Sequence, residues 1–251
     1  MIQIKALPFG SMHNLNFWVE CTETGSLGVV DLADGVLMIK ALTEARKTPS
    51  HIFITHHHHD HVEGLGEFLD HFPKAQLIYP EGETRIGFKG YPYKDRETIR
   101  FGATKVLGLL TQAHTRYSLN YLFDSRHLFT GDSLFFAGCG RLFEGSPADL
   151  LTAMDRLCAL SPDIKTYYGH DYAQSNLEFS AQIEPNNSEI TKQKNIIKSK
   201  GAPLFSSIAL ERLINPFFRI DQKEVIQAID PQGQLSREER IGHLRQKKDQ
   251  F

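Results

Sequence analysis

The 251-residue chain sets 28 Lys and Arg against 30 Asp and Glu, a formal net charge of −2 that argues against a dedicated nucleic-acid binder. Its apolar content of 41% and charged content of 23% are those of a folded globular protein and exclude a disordered one. Three cysteines, Cys21, Cys139 and Cys158, are too few and too scattered for a disulfide framework and fit a reducing compartment.

In chain order, residues 1–8 lack the basic-then-apolar layout of a secretory signal, and no run of about 18 apolar residues follows anywhere. The expectation is a soluble, cytoplasmic protein. Residues 17–21 and 27–31 read as strands around the turn 24–26, residues 36–47 as a helix, and the apolar run 51–55 as a buried strand. Next comes Thr55-His56-His57-His58-His59-Asp60-His61, and then a helical pattern with apolar residues at 62, 65, 68 and 69. Residues 77–79 and 105–110 read as strands separated by a Gly- and Pro-containing loop over 80–97, and 119–123 with 127–130 as a hairpin. Ser146-Pro147-Ala148-Asp149 combines a cap residue, a first-turn proline and an acid three residues on, so a helix over 148–160 should open there. Residues 164–168 form a last strand. Beyond 172, five segments near 172–183, 188–199, 206–214, 222–229 and 236–247 have helical composition, separated by prolines and glycines. The predicted organisation is a domain over 1–171 followed by a small helical domain over 172–251.

Five imidazoles and a carboxylate within seven residues read as a metal site. In an extended segment, side chains two apart point the same way, so His56 and His58 can close on one ion while Asp60 and His61 turn towards another. Imidazole and carboxylate without thiolate suit zinc, iron or manganese in a catalytic site. His57 and His59 alternate with these ligands and are expected to pack or to act behind them. Two ions need more donors, and three lie at the C-terminal ends of later strands: His114, Asp132 and His170. The resulting set is His56, His58 and His114 on one metal, Asp60, His61 and His170 on the second, with Asp132 bridging.

The motif HxHxDH with its later His, Asp and His resembles the metallo-β-lactamase superfamily. Within that superfamily the chain is similar, over essentially its whole length, to the glyoxalase II (hydroxyacylglutathione hydrolase) family. Phe129-Thr130-Gly131-Asp132-Ser133-Leu134-Phe135, Ala137-Gly138-Cys139-Gly140-Arg141, Tyr168-Gly169-His170-Asp171-Tyr172, Asn215-Pro216-Phe217-Phe218-Arg219 and the terminal residues 245–251 carry the likeness. It implies an αβ/βα sandwich followed by a small C-terminal helical domain. It also implies two divalent ions, zinc in the first place and iron or manganese otherwise, and hydrolysis of the thioester S-D-lactoylglutathione by a metal-bridged hydroxide that Asp60 orients or deprotonates. Arg141 stands where the family usually has a lysine, Tyr172 follows the last metal histidine, and Arg245 and Lys248 match a basic pair that grips a glutathione carboxylate. A fork of guanidinium donors suits such a group. The protein is expected to act as a monomer on a small-molecule glutathione thioester, with no nucleic-acid or membrane partner. Departures from the family pattern are Gln112-Ala113 before His114, Tyr117-Ser118 after it, Phe143 in place of a tyrosine, and Glu63-Gly64 in place of a Gly-Gly pair. A persulfide dioxygenase with a single iron is the competing enzyme, and a non-enzymatic metal-binding protein the alternative of another class. The helical extension and the ending over 245–251 disfavour the first, and the complete two-metal ligand set with a substrate grip disfavours the second.

Overall fold

The computed structural model describes residues 1–8, 10 and 12–251. The chain packs as two compact units, one of 1–110 with 117–131, the other of 111–116 with 132–251.

In the first unit, strands β1 (Ile2–Pro8), β2 (Leu15–Cys21), β3 (Leu27–Val30), β4 (His51–Phe53), β5 (Gln76–Pro80) and β6 (Tyr91–Tyr93) form one sheet in that order. The β1–β2–β3 pairs are antiparallel, and β3 to β6 run parallel. Parallel strands need crossovers, supplied here by helix α1 (Gly35–Glu44) and by the short helices α2 (His59–Val62) and α3 (Leu65–His71). Because β3 to β5 are covered on both faces, they read as continuous apolar runs. Ile52, Ile54, Val29 and Leu77 meet Met38 and Leu42 of α1 and Leu65 and Phe68 of α3 in one buried cluster. On the opposite face Phe53 packs edge-on against Phe101, Tyr121 and Phe123, with ring centroids 5.1–6.0 Å apart. The last three belong to an antiparallel meander of β7 (Thr98–Phe101), β8 (Thr104–Leu110), β9 (Leu119–Phe123) and β10 (His127–Gly131). Truncating a buried ring such as Phe53 costs about 3–5 kcal/mol, so this layer fixes where β4 ends. Tyr121 Oη donates to the Ile54 carbonyl at 2.7 Å and Leu119 N–H to that of Thr55 at 2.9 Å, holding the chain straight into the histidine loop.

The expected strands and the hairpin of this unit are present, and three further strands occur among its described residues. β1 alternates apolar Ile2, Ile4 and Ala6 with polar, exposed Gln3 and Lys5, so its strand was legible although not expected. The segment read as a loop over 80–97 contains β6, where Pro92 is tolerated because β6 is the edge of its sheet. β7 follows it directly. The helix expected from 62 onward starts at His59 and breaks at Gly64. A Cβ there would lie 2.1 Å from the Gly35 backbone nitrogen, so the two glycines permit the starts of α1 and α3 to touch.

The second unit contains α4 (Pro147–Cys158), β11 (Lys165–Tyr168), α5 (Ala173–Ile183), α6 (Ser188–Lys200), β12 (Ser206–Ser207), α7 (Ile208–Ile214), α8 (Lys223–Ile229) and α9 (Arg237–Asp249). The expected cap of α4 is a capping box between Ser146 and Asp149, and Ser236 with Glu239 caps α9 in the same way. α9 lies against α4, where Arg237 forks onto Asp155 with two bonds of 2.8 Å.

Candidate metal centre

In the first unit the histidine loop leaves β4 and runs into α2, and one buried carboxylate holds both of its ends. Asp31, just past β3, accepts bonds of 2.8 Å from Thr55 N–H and Thr55 Oγ1, and lies 2.8 Å from His61 Nδ1. These bonds decide which nitrogens face a metal. Since the Thr55 hydroxyl gives its proton to Asp31, its oxygen accepts from His56 Nδ1 at 3.0 Å, and Nε2 of His56 keeps the lone pair. His61 likewise commits Nδ1 to Asp31 and presents Nε2. Two nitrogens bound tetrahedrally to one zinc at about 2.05 Å lie about 3.3 Å apart. His56 Nε2 and His58 Nδ1 are 3.1 Å apart, which fits the expected pair. Asp60 Oδ2 lies 3.6 Å from His61 Nε2 and accepts a 2.9 Å bond from buried Asn14 Nδ2. The alternate histidines do something else. His57 turns to Glu83, with Nδ1 and Oε2 3.2 Å apart, and exposed His59 faces Glu63 at 3.3 Å.

In the second unit buried Asp132 stands between two buried histidines. Its Oδ2 is 3.5 Å from His114 Nε2 and its Oδ1 3.4 Å from His170 Nε2. One oxygen thus faces each histidine. His114 donates Nδ1–H to the Arg141 carbonyl at 2.9 Å, again reserving Nε2. His170 stacks on the Tyr172 ring, with centroids 4.9 Å apart and planes 5° from parallel. Gly140 lies so close to this cluster that a Cβ would sit 2.1 Å from the Asp132 carbonyl oxygen and 2.7 Å from His114 Nδ1. All seven sequence-predicted ligands belong to His and Asp clusters able to hold a metal ion, and the donor types and tautomers fit one.

The four expected substrate contacts also lie in the second unit, three of them gathered by α9. Arg245 is buried, donating from Nη1 to the Cys139 carbonyl at 2.8 Å and pairing with Asp249 at 3.1 Å. Arg141, exposed, reaches the same Asp249 oxygen at 3.5 Å. Lys248 lies against the Phe179 and Phe251 rings and donates to Ser175 Oγ at 3.1 Å. Burial, reinforced by the Arg245 charge, lowers its ammonium pKa to about 8. Burial likewise raises the Cys139 thiol to about 11, so it is no nucleophile. Tyr172 lies beside His170. Phe143 lies exposed with its ring 5.2 Å from that of His114.

Three residues were absent from the expected site. Asp31 and Glu83 follow strands just as His114 and His170 do, and that signal could have found them. Asn14 carries no comparable mark.

Residues 25–187 match the model of the metallo-beta-lactamase superfamily, and residues 171–251 match that of the hydroxyacylglutathione hydrolase C-terminus. A hydroxyacylglutathione hydrolase of Salmonella paratyphi A is 35% identical over 239 residues, 93% of this chain and 94% of the relative. Among solved structures, ETHE1 from Myxococcus xanthus superposes with a TM-score of 0.69 at 23% identity, covering 96% of this chain and 95% of its own. A metallo-beta-lactamase from Staphylococcus aureus gives 0.68 at 20% identity, over 98% and 72%. At such identities the structural likeness is one of fold.

Proposed function

The chain belongs to the hydroxyacylglutathione hydrolase family of the metallo-β-lactamase superfamily, and from that premise we propose that it hydrolyses S-D-lactoylglutathione to D-lactate and glutathione. The fold and its His and Asp clusters indicate a metal-dependent hydrolase with a binuclear site. The observation that carries the reading is Asp132, whose two oxygens each face a different histidine Nε2.

In this reading His56, His58 and His114 would hold one ion, Asp60, His61 and His170 the other, and Asp132 would be shared between them. Two divalent ions bound there, zinc by preference and iron or manganese otherwise, would supply an acidified water and Lewis-acid polarisation of the thioester carbonyl. The chain's own residues do the rest. Asn14 fixes the Asp60 carboxylate so that it can orient the attacking water and receive its proton. Arg245 and Lys248, together with Arg141 and Tyr172, hold the glutathione moiety and position the thioester carbon. Residues 172–251 then serve as the substrate-binding domain and 1–171 as the catalytic one. No helix among the described residues is long and apolar enough to cross a membrane. We read the protein as a cytoplasmic monomer.

The test is to purify the protein, count metals per chain and follow loss of the thioester. Two metals with rapid turnover support the reading. A single iron with oxygen consumed in the presence of glutathione persulfide would replace it with the dioxygenase, and full activity in Asp132→Ala would remove the assigned site.

A further inference from the structure

β4 and β5 are parallel neighbours in one sheet, so the loops beyond their C-terminal ends emerge side by side. The first of these loops carries His56, His57 and His58, and the second carries Glu83. The Glu83 side chain is fully buried, and a buried carboxylate with no task would be costly. Arg85 clamps it with Nε at 2.7 Å and Nη2 at 2.6 Å, while the Arg85 backbone N–H adds a third bond of 2.9 Å. Both Glu83 oxygens are thereby fixed. Burial opposes its ionisation, yet the Arg85 bonds and the neighbouring His57 hold its carboxyl below the usual range. Oε2 meets His57 Nδ1 at 3.2 Å.

His57 sits between two proposed ligands of one ion, and its ring lies edge-on to that of His58, with centroids 4.8 Å apart. A side chain anchored there decides how its two neighbours turn, because alternate residues of an extended segment point to opposite sides. We propose that Glu83, clamped by Arg85, is a positioning residue for the His56 and His58 ligand pair and acts through His57. The inference rests on the two-metal reading above. It gives the histidine between the ligands a role and makes the β5 loop part of the site's support.

The experiment measures metal retention, not turnover. Glu83→Gln keeps the size and an acceptor but loses the charge, and Glu83→Asp keeps the charge. Each variant and His57→Ala is loaded with zinc and titrated with a competing chelator, and the melting temperature of the chelator-treated protein is recorded alongside. Groups that orient metal ligands are worth about 10- to 100-fold in affinity. The expected result is a loss of that size for one of the two ions in Glu83→Gln and in His57→Ala, partial recovery in Glu83→Asp, and a melting temperature of the stripped protein that does not track the loss. The double variant Glu83→Gln with His57→Ala should bind no more weakly than His57→Ala alone, since the two act in series. Wild-type affinity for both ions in Glu83→Gln, or losses that simply add in the double variant, would overturn the proposal. Turnover of the thioester with unchanged zinc affinity in Glu83→Gln would sink this inference alone. Zinc affinity that responds as expected in a protein without thioesterase activity would sink the substrate assignment instead.

Discussion

Glu211 on α7 is fully buried, and three donors surround its carboxyl: Ser206 Oγ, Asn215 Nδ2 at 2.9 Å and the Ala137 N–H at 2.9 Å. Burial outweighs them and pushes its pKa up to about 7 from 4.5. Because the folded value lies above the unfolded one, the folded state binds more protons in between. The group's contribution is fully present below about pH 4.5 and is lost as pH rises through about 7. A shift of about 2.5 units corresponds to about 3 kcal/mol. Glu211→Gln supplies a neutral mimic, because its amide oxygen can take the two N–H donors while its NH2 faces a Ser206 hydroxyl turned to accept. Urea unfolding of both proteins in matched buffers from about pH 4 to pH 8 isolates the effect, since all other titrations cancel in the difference. Relative to the variant, the wild type should lose about 3 kcal/mol across that range. A constant difference would refute the reasoning. The site would feel the change, because Ala137 begins the turn through Gly138 and Cys139 to Gly140, which touches Asp132 and Arg245.

Two further outcomes follow from the same geometry. Gly140→Ala drives a Cβ into the Asp132 carbonyl, 2.1 Å away, and towards His114; metal analysis should find fewer than two ions per chain, and kcat should fall about 100-fold, as expected of an ångström-scale displacement of catalytic groups. Lys248, with its pKa lowered to about 8 by burial, loses its charge as pH rises through that value; KM for the thioester should rise above about pH 8 with kcat little changed, and Lys248→Arg should remove the rise.

Most of the strands, the helices of the C-terminal segment and the candidate ligand types could be read from the sequence because each leaves a local mark. Apolar runs ending in turns placed β4, β8 and β11, and a histidine or aspartate at a strand end was then conspicuous. Ser146 and Asp149 announced α4 because a capping box is complete within four residues. Which group a supporting residue serves leaves no such mark, even where, as at Asp31, its strand-end position does. Asn14 reaches Asp60 across 46 positions, and Asp31 reaches His61 across 30. Glu211 sits in a stretch whose composition reads as an ordinary amphipathic helix with an outward charge, yet it is buried by what α7 packs against. The proposed substrate contacts rest on family resemblance alone, since Arg245 and Lys248 otherwise look like the solvated face of a charged helix.

The spacing of the histidine loop acquires a physical reason from Asp31. It occupies the left-handed region at φ 54°, which costs an aspartate less than most residues but is still unfavourable, and such strain persists only where the surroundings over-determine it. Here they do, for its two oxygens take Thr55 N–H, Thr55 Oγ1 and His61 Nδ1. One carboxylate therefore holds the first and last residues of the seven-residue run at hydrogen-bond distance from a common point. The chain between must leave β4 extended, so that His56 and His58 fall on one side, and must close its first helical turn by His61. A longer loop would release one end, and a shorter one could not contain both an extended pair and the start of α2. The interval between His56 and His61 is thus the interval at which an extended ligand pair and a helical ligand pair can be tied to one anchor, and Glu83 beneath His57 fixes the middle of the same loop.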